Sequence, residues 1–514
     1  MPFLRLTKRE YRNTMAELLG DTSGAGSEFE ADDTGPGGYL APSNVATETA
    51  RQYMTAAEKL AAAAISGGKI AIPCMNPANA AAENTCVTQL ITSFGTRAYR
   101  RPLVQGEADD LLKLFQDLKT AGFTFTEAVT HMVEAMLQSP NLIYHWELGD
   151  QALARDPANN AIVALTPYQL ASRLSYLLWE SSPDAPLMDA AAAGQLATPE
   201  GLKAQATRML QDESRAGRAL YNFHQQWLKM TNLEDIEPAT GLGLLLGQEV
   251  RTFLSSVFVT GDGTLKSLLT APYTFANATT AKEYGLTAAG AAFTKVALNP
   301  AERLGILMQV PFLRAQGTAP PIYRGLVVYR QLLCGVAPPP QGMVIPEVSP
   351  DRPGTTTRER FSEHANLACA VGCHAMFDPW GFSFENFDSL GHYRTTENGK
   401  PVDASGLPQA DANKTVGGLT PGGKIIPFRN ATELVSALGA NDEVSWCTSK
   451  NWGRYMLGRM EGDADLGGLT NAYVAGAFGP DRATARPFSV RDFLVALVGT
   501  KPFRFRAAAA GETL

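Results

Sequence analysis

The sequence predicts a mainly α-helical protein, with helical N-terminal domains followed by a smaller helical module near the C-terminus. Three observations carry that expectation. Helix starts recur as capping boxes, apolar residues fall at the spacing of one helical face, and proline-rich joints rather than alternating strands separate the periodic segments.

Thr7-x-x-Glu10 opens the first helix, because each side chain can satisfy a backbone N–H at the other's end; Tyr11, Met15, Leu18 and Leu19 then share one face. Thr124-x-x-Glu127 opens another, with Val129, Met132, Val133, Met136 and Leu137 directed inward. Thr166-Pro167-x-Gln169 adds a proline at the first helical position, where its missing N–H costs nothing, ahead of Leu170, Leu174, Leu177 and Leu178. Such stripes are core positions, and His131, His145 and His224, which fall in segments of this kind, are expected to be structural. Ser182-Pro183-Asp184-Ala185-Pro186 separates two helices, and residues 257–300, rich in Thr, Gly and Ala with little periodicity, suggest short strands or loops. Cys334-Gly335-Val336-Ala337-Pro338-Pro339-Pro340 begins an extended linker to about Gly354. Beyond it, Thr356-x-x-Glu359 caps a short helix, TRERFSEHANLAC, and Ser489-x-x-Asp492 caps a last one carrying Phe493, Leu494, Leu497 and Val498. The expected organisation is a helical region over 1–150, a central helical domain over 151–335, a proline-rich linker over 336–354 and a C-terminal module over 355–506.

Composition narrows the function. A chain of 514 residues is too long for one hydrophobic core. A net charge of −7 without a basic stripe argues against a nucleic-acid partner, and no apolar run reaches the length of a membrane span. No P-loop, G-x-S-x-G or H-E-x-x-H occurs, and in Gly241-Leu242-Gly243-Leu244-Leu245-Leu246-Gly247 the third glycine comes one residue late for a dinucleotide loop.

The chemistry concentrates in Cys369-Ala370-Val371-Gly372-Cys373-His374. Two thiols and an imidazole in this order suit haem c: the sulfurs add across the porphyrin vinyl groups, and His374 then sits under the iron as a metal ligand. The usual spacing is C-x-x-C-H, and here one more residue intervenes. Two other chemistries use the same residues. Zinc could take His364, Cys369, Cys373 and His374, although adjacent Cys373 and His374 are awkward in one tetrahedron. A plain disulfide or free thiols is the third. Haem is the preferred reading because the short helix delivers both cysteines to its C-terminal end, where residues four apart share a face. A helix leading into the motif and an amphipathic C-terminal helix are the elements that cross in c-type cytochromes, which gives 355–506 a cytochrome-c-like helical architecture. The aromatic run Phe377–Asp388, read as a loop, would exclude water from a haem, or would form a small core of its own. Met456 is the first candidate for a second axial ligand, followed by Met460 and His392, each of which also suits a packing role. Asp378, Glu385 and Asp388 could serve peroxide cleavage as acid or base, but capping the run's own backbone N–H groups is the simpler role.

The other four cysteines fit an oxidising compartment. Cys74 with Cys86 and Cys334 with Cys447 is the preferred pairing among three connectivities, with buried thiols the alternative for the second pair. Thioether-bound haem needs an exported chain, whereas the first residues carry charges and no apolar h-region; the expectation is a periplasmic or extracellular protein whose leader has been removed.

Several segments resemble one family. They are RLTKREYRNTMAELLGD, FGTRAYRRPL, LTPYQLASRLSYLLW, the Arg324-Gly325 segment leading to LLCGVAPPP, TTTRERFSEHANLACAVGCH with DPWGFSFENFDSLGHYR, Val402-Asp403-Ala404-Ser405-Gly406, NWGRYMLGR and FRFR. Together they resemble exported bacterial multi-domain proteins of unknown function with a C-terminal cytochrome-c-like haem-binding module, of planctomycete and myxobacterial type. That family typically carries C-x-x-C-H, so the resemblance implies export and haem c on Cys369, Cys373 and His374, with the inserted residue bearing most on the second thioether. The expected function is electron transfer or haem-based oxidation, oxidoreductase or peroxidase-like, with a redox partner protein. The alternative is a non-haem cell-surface binding or scaffold protein in which Cys369 and Cys373 are structural.

Overall fold

The computed structural model describes residues 4–43, 45–74, 77–148, 155–156, 159–288, 290–317, 320–337, 348–350, 352–365, 371–406, 417–479 and 485–508. It is mainly helical, with small antiparallel sheets. The chain forms two compact units: Met1–Leu210 with Arg454–Gly468 and Leu497–Leu514, and Gln211–Gly453 with Leu469–Ala496.

In the first unit the capping boxes at Thr7 and Thr124 form, the Thr7 N–H donating to Glu10 at 2.8 Å and the Thr124 N–H to Glu127 at 2.8 Å. The helices they open, Lys8–Leu19 and Phe125–Gln138, join Thr47–Ser66, Ala80–Tyr99 and Gln105–Thr120 around one core, which holds Tyr11, Met15, Met132 and Met136 fully buried. Arg100 ends Ala80–Tyr99 in the left-handed region (φ 58°), buried, its guanidinium donating to the carbonyls of Asn141, Leu142 and Tyr144. Cys74 and Cys86 are disulfide-bonded. The unit takes in the end of the chain because Phe505–Ala507 pairs antiparallel with Asn159–Ala164, in the register Val163 to Arg506. His145 packs edge-on against Tyr176, whereas His131 stands on an exposed face beside Glu134 rather than in the core.

In the second unit, helices Glu213–Trp227 and Leu242–Phe258 pack together, and His224 is buried among Phe223, Trp227 and Phe258. The irregular stretch contains one short hairpin, Tyr273–Ala276 with Thr294–Ala297. Cys334 and Cys447 are disulfide-bonded across a separation of 113 residues, which in the chain-entropy account contributes about 4–5 kcal/mol. The helix Val490–Leu497 is capped by Ser489 as expected, but its first N–H donates to the Gly263 carbonyl, and Ser489 bridges Thr264.

The helix that carries His374 is Val371–Phe382, and Pro320–Leu326 lies along it. Glycine makes that approach. A Cβ at Gly381 would lie 1.7 Å from the Pro321 carbonyl oxygen, and one at Gly325 would lie 2.2 Å from that of Phe377. The run expected to loop from Phe377 is therefore helical as far as Phe382, with Pro379 inside it; the lost backbone bond is tolerated because the two backbones are locked face to face.

The turn beyond the helix is held by buried cations. Arg324, fully buried, donates to the carbonyls of Leu313, Phe384, Phe387 and Asp388. Arg303 donates to Met308 and Gly391, and Arg314 to Leu390. Arg303 also lies 4.7 Å from the Phe387 ring and 5.1 Å from that of Tyr284. The Tyr284 hydroxyl donates to Glu249, which also accepts from Thr274 at 2.8 Å while its second oxygen has no partner. Burial pushes the Glu249 carboxyl up to about 8.

Two outcomes follow for stability. Gly381→Ala should destabilise the second unit by about 3 kcal/mol through forced backbone separation, whereas Gly467→Ala, with nothing within 4 Å of its added methyl, should not; urea unfolding of both variants checks this. The folded Glu249 keeps a proton that an unfolded one releases above its ordinary value of 4.5, so its contribution is intact below that value and is lost as pH rises through about 8. Glu249→Gln should therefore match the parent near pH 4.5 and exceed it above pH 8 by on the order of 3 kcal/mol, read from melting curves across pH.

Candidate metal centre

Capping at Thr356 fixes the start of the helix Thr357–Ala365: its N–H donates to Glu359 at 2.8 Å and its hydroxyl accepts from the Glu359 N–H at 3.2 Å. Counting one turn at a time from Thr357 brings Phe361 and then His364 round to the buried side near its C-terminal end. Cys369 lies outside the described residues, and the Cys373 side chain is likewise not described. The chain is described again from Val371, where the next helix begins.

His374 stands in the first turn of that helix and Asp378 one turn later, the i,i+4 spacing that lets side chains meet. The imidazole Nδ1 lies 3.0 Å from Asp378 Oδ1 and 2.9 Å from Oδ2. With Nδ1 occupied, Nε2 is the nitrogen left to a metal, the arrangement in which a carboxylate orients a ligating histidine and raises its basicity. Burial raises the Asp378 carboxyl above its usual range, while the hydrogen bond from His374 and the nearby charges of His374, His364 and Arg358 pull the other way.

Two rings flank His374. That of Phe377 lies at a centroid distance of 5.0 Å, and that of His364 also at 5.0 Å with the planes 77° apart. His364 is 6% exposed, and its buried Nδ1 has no hydrogen-bond partner among the described residues. Burial, and secondarily His374, hold its pKa below the usual imidazole value. Arg358, from the same helix, stacks over Phe382 and reaches the carbonyls of Asp403 and Ser405, tying the Val402–Gly406 segment to the centre.

The three carboxylates expected near the motif have separate roles. Asp378 holds His374. Asp388 accepts from the N–H groups of Leu390 and His392 at 2.9 and 2.8 Å, a turn cap. Glu385 is 2% exposed beside Arg394 at 3.5 Å, and burial pushes it up to about 7. It lines a cleft of about 420 Å³ with Arg360, Phe361, Phe387 and Arg394; His374 is not among the lining residues. Trp380 and Phe384 pack into protein, Trp380 lying 5.6 Å from Phe428 and Phe384 6.2 Å from Phe312, while Phe387, at the cleft, lies against Arg303 and Tyr393. His392 pairs with Asp388 and Glu283 at the surface. Met456 is half-buried and Met460 exposed; both belong to the first unit, whereas His374 belongs to the second. The pairing of His374 with Asp378 has helical spacing, but from the sequence the run reads as a loop and Asp378 as a backbone cap. His364 enters the sequence reading beside His374 only in the zinc alternative, and its approach depends on how two helices meet.

Four family models match successive segments, each described as a protein of unknown function: PSD3 (DUF1587) over residues 5–66, PSD5 (DUF1595) over 86–147, PSD4 (DUF1592) over 165–286 and PSCyt3 (DUF1588) over 303–397. Arg324, His364, His374 and Asp378 all lie in the last. No curated protein and no solved structure matches. The chain is thus a multi-domain protein built from segments of families of unknown function.

Removing the imidazole isolates the buried carboxylate. His374→Ala should cost about 3 kcal/mol at neutral pH and less in acid, where Asp378 protonates; adding Asp378→Asn should recover part of the loss. A double-mutant cycle by chemical denaturation at two pH values measures both effects.

Proposed function

We propose that this is an exported c-type haem protein that acts in electron transfer or haem-based oxidation with a redox partner protein. The observation that carries the reading is the Asp378–His374 pair, placed directly after Cys373 in the segment that matches PSCyt3. The donor set fits the group: a buried imidazole with Nδ1 anchored and Nε2 left over, following two thiols in sequence. Cys369 and Cys373 would hold haem c covalently, and His374 would ligate its iron. When bound, haem supplies one-electron and peroxide chemistry.

The protein's own contribution is positional and electrostatic. Asp378 keeps the His374 proton on Nδ1, fixes the ring and makes the nitrogen on the metal more electron-rich, which favours oxidised iron. That bias speaks for haem-based oxidation over plain electron carriage. Phe377 and the ends of both helices shield the imidazole from water. Two disulfides suit an oxidising compartment, and attachment through thioethers requires one, so a periplasmic or extracellular site is part of the proposal. Among the described residues no helix is long and apolar enough to cross a membrane.

A second reading has one observation in its favour. Trp380 and Phe384 are buried against protein, packed on Phe428 and Phe312, as they would be in a non-haem binding or scaffold protein with structural Cys369 and Cys373.

Expression behind an export leader together with haem-maturation factors decides between them. Covalent haem adds about 616 Da and a Soret band that stays with the denatured chain, and both vanish in the Cys369→Ala/Cys373→Ala variant. An unmodified mass from exported material would leave the scaffold reading.

A further inference from the structure

We infer that the cleft lined by Glu385 is a binding site for an uncharged, hydroxyl-rich small molecule of the saccharide class. The inference goes beyond the haem reading and does not depend on it: His374 is not among the lining residues, and the whole cleft lies in the second unit. At about 420 Å³ the cleft falls within the roughly 300–1,000 Å³ that small-molecule sites occupy.

Two independent observations point there. The first is a buried carboxyl short of hydrogen bonds. Glu385 is 2% exposed, yet among the described residues its side chain accepts a single bond, from Arg394 Nη2 at 3.5 Å, too long to be a strong one. Arg394 Nε meanwhile donates to the Glu385 backbone carbonyl at 3.1 Å, so the residue is held in place while its carboxyl stays under-bonded. Burial pushes that carboxyl up to about 7 against the pull of Arg394, Arg324 and Arg358, and a buried acid kept under-bonded at a cleft wall is set for a ligand. A hydroxyl both donates and accepts, so it satisfies the group with or without its proton; an ammonium only donates.

The second observation is the disposition of the other walls. Glu397 accepts from the Thr357 N–H and hydroxyl and from Arg394 at 2.7 Å, and Arg360 donates to the Ser349 carbonyl and the Thr357 hydroxyl. A cationic ligand would meet the guanidiniums of Arg360 and Arg394, and an anionic one the carboxylates of Glu397 and Asp388; hydroxyls bond to both kinds of group without net charge. Ser349 and Ser389 add two hydroxyls of the protein's own. A flat aromatic ligand finds no ring to stack on, because Phe361 and Phe387 are buried and Phe387 is already packed against Arg303 at 4.7 Å and Tyr393 at 5.6 Å. The helix Thr357–Ala365 links the cleft to the candidate centre: Arg360 and Phe361 line the one, and His364, a turn further on, packs against His374 in the other.

The test is saturation-transfer NMR on the full chain with glucose, galactose, mannose, xylose, cellobiose and maltose as probes, and with glucosamine, glucuronate and phenol as charged and aromatic comparisons. At least one neutral sugar should bind, and more tightly than the three comparison compounds. Glu385→Ala should weaken that binding by at least about tenfold, and Glu385→Gln, which keeps a donor and an acceptor, by less. Ser389→Trp, at an exposed position of the lining, should block the cleft without disturbing the buried carboxyl. Melting curves establish that the variants fold. Failure of all six sugars to bind a folded parent overturns the inference. So does sugar binding that both Glu385→Ala and Ser389→Trp leave unchanged, or tighter binding of glucosamine, glucuronate or phenol. The same titration on the Cys369→Ala/Cys373→Ala variant separates this inference from the haem reading. Glu385-dependent sugar binding there upholds it whether or not exported protein carries haem, and covalent haem on a protein that binds no sugar overturns it while the haem reading stands.

Discussion

Everything at the candidate centre depends on a set of buried guanidinium groups that hold backbone carbonyls. Arg324 alone serves four carbonyls, three of them in the turn after the His374 helix, and Arg303 and Arg314 serve two more in the same turn. A tight turn in a protein interior leaves carbonyl oxygens that neither helix nor sheet can satisfy. Planar five-donor groups reach several at once, which an ammonium could not do from one place. Burial pulls the Arg324 pKa down to about 10, so the charge survives at neutral pH, and hydrogen bonds to a charged donor are the stronger kind. The polypeptide is thus cast around fixed cations, and the helix carrying His374 emerges from that cast in one orientation.

The same region explains why glycine stands at 325 and 381. Arg324 can reach its carbonyls only if Pro320–Leu326 lies against Val371–Phe382 at backbone contact, and any side chain at either glycine would hold the helices apart. Proline inside the second helix would ordinarily bend it or break it. Here the lost bond falls where the helix is gripped from outside, so tertiary packing decides against local preference. That is also why the aromatic run reads as a loop from composition and yet continues as helix to Phe382.

How much of this is legible in the sequence depends on the range over which each feature is determined. Capping boxes at Thr7, Thr124, Thr166 and Thr356 involve residues three apart, and all four form. Apolar stripes are equally local, and the inward positions Val129, Met132, Val133 and Met136 are completely buried. The disulfides were legible as a preference because few cysteines leave few pairings. What could not be read is set by contacts far apart in sequence. Phe505–Ala507 pairs with residues more than three hundred positions earlier, so the unit boundaries cannot follow the linear order of motifs. The partner of the His374 helix lies about fifty residues upstream and announces itself only through Arg324-Gly325. Asp378 was visible as a carboxylate near the motif, but its assignment to His374 instead of to backbone N–H groups follows from the helix, which the proline concealed.

The carboxylate–imidazole pair constrains what any metal at this centre can do. A histidine held by a backbone carbonyl keeps a neutral ring, whereas one held by both oxygens of a buried carboxylate shares its proton with a base that burial has already made stronger. Electron density flows toward Nε2 and stabilises higher positive charge on whatever it binds. On the iron of the proposed haem this would favour oxidised states. Arg358, stacked over Phe382 and bonded to the carbonyls of Asp403 and Ser405, lowers the Asp378 carboxyl through space without pairing with it. The Val402–Gly406 segment thereby sets where that charge stands, and a change that released Arg358 would be felt at the carboxylate holding His374.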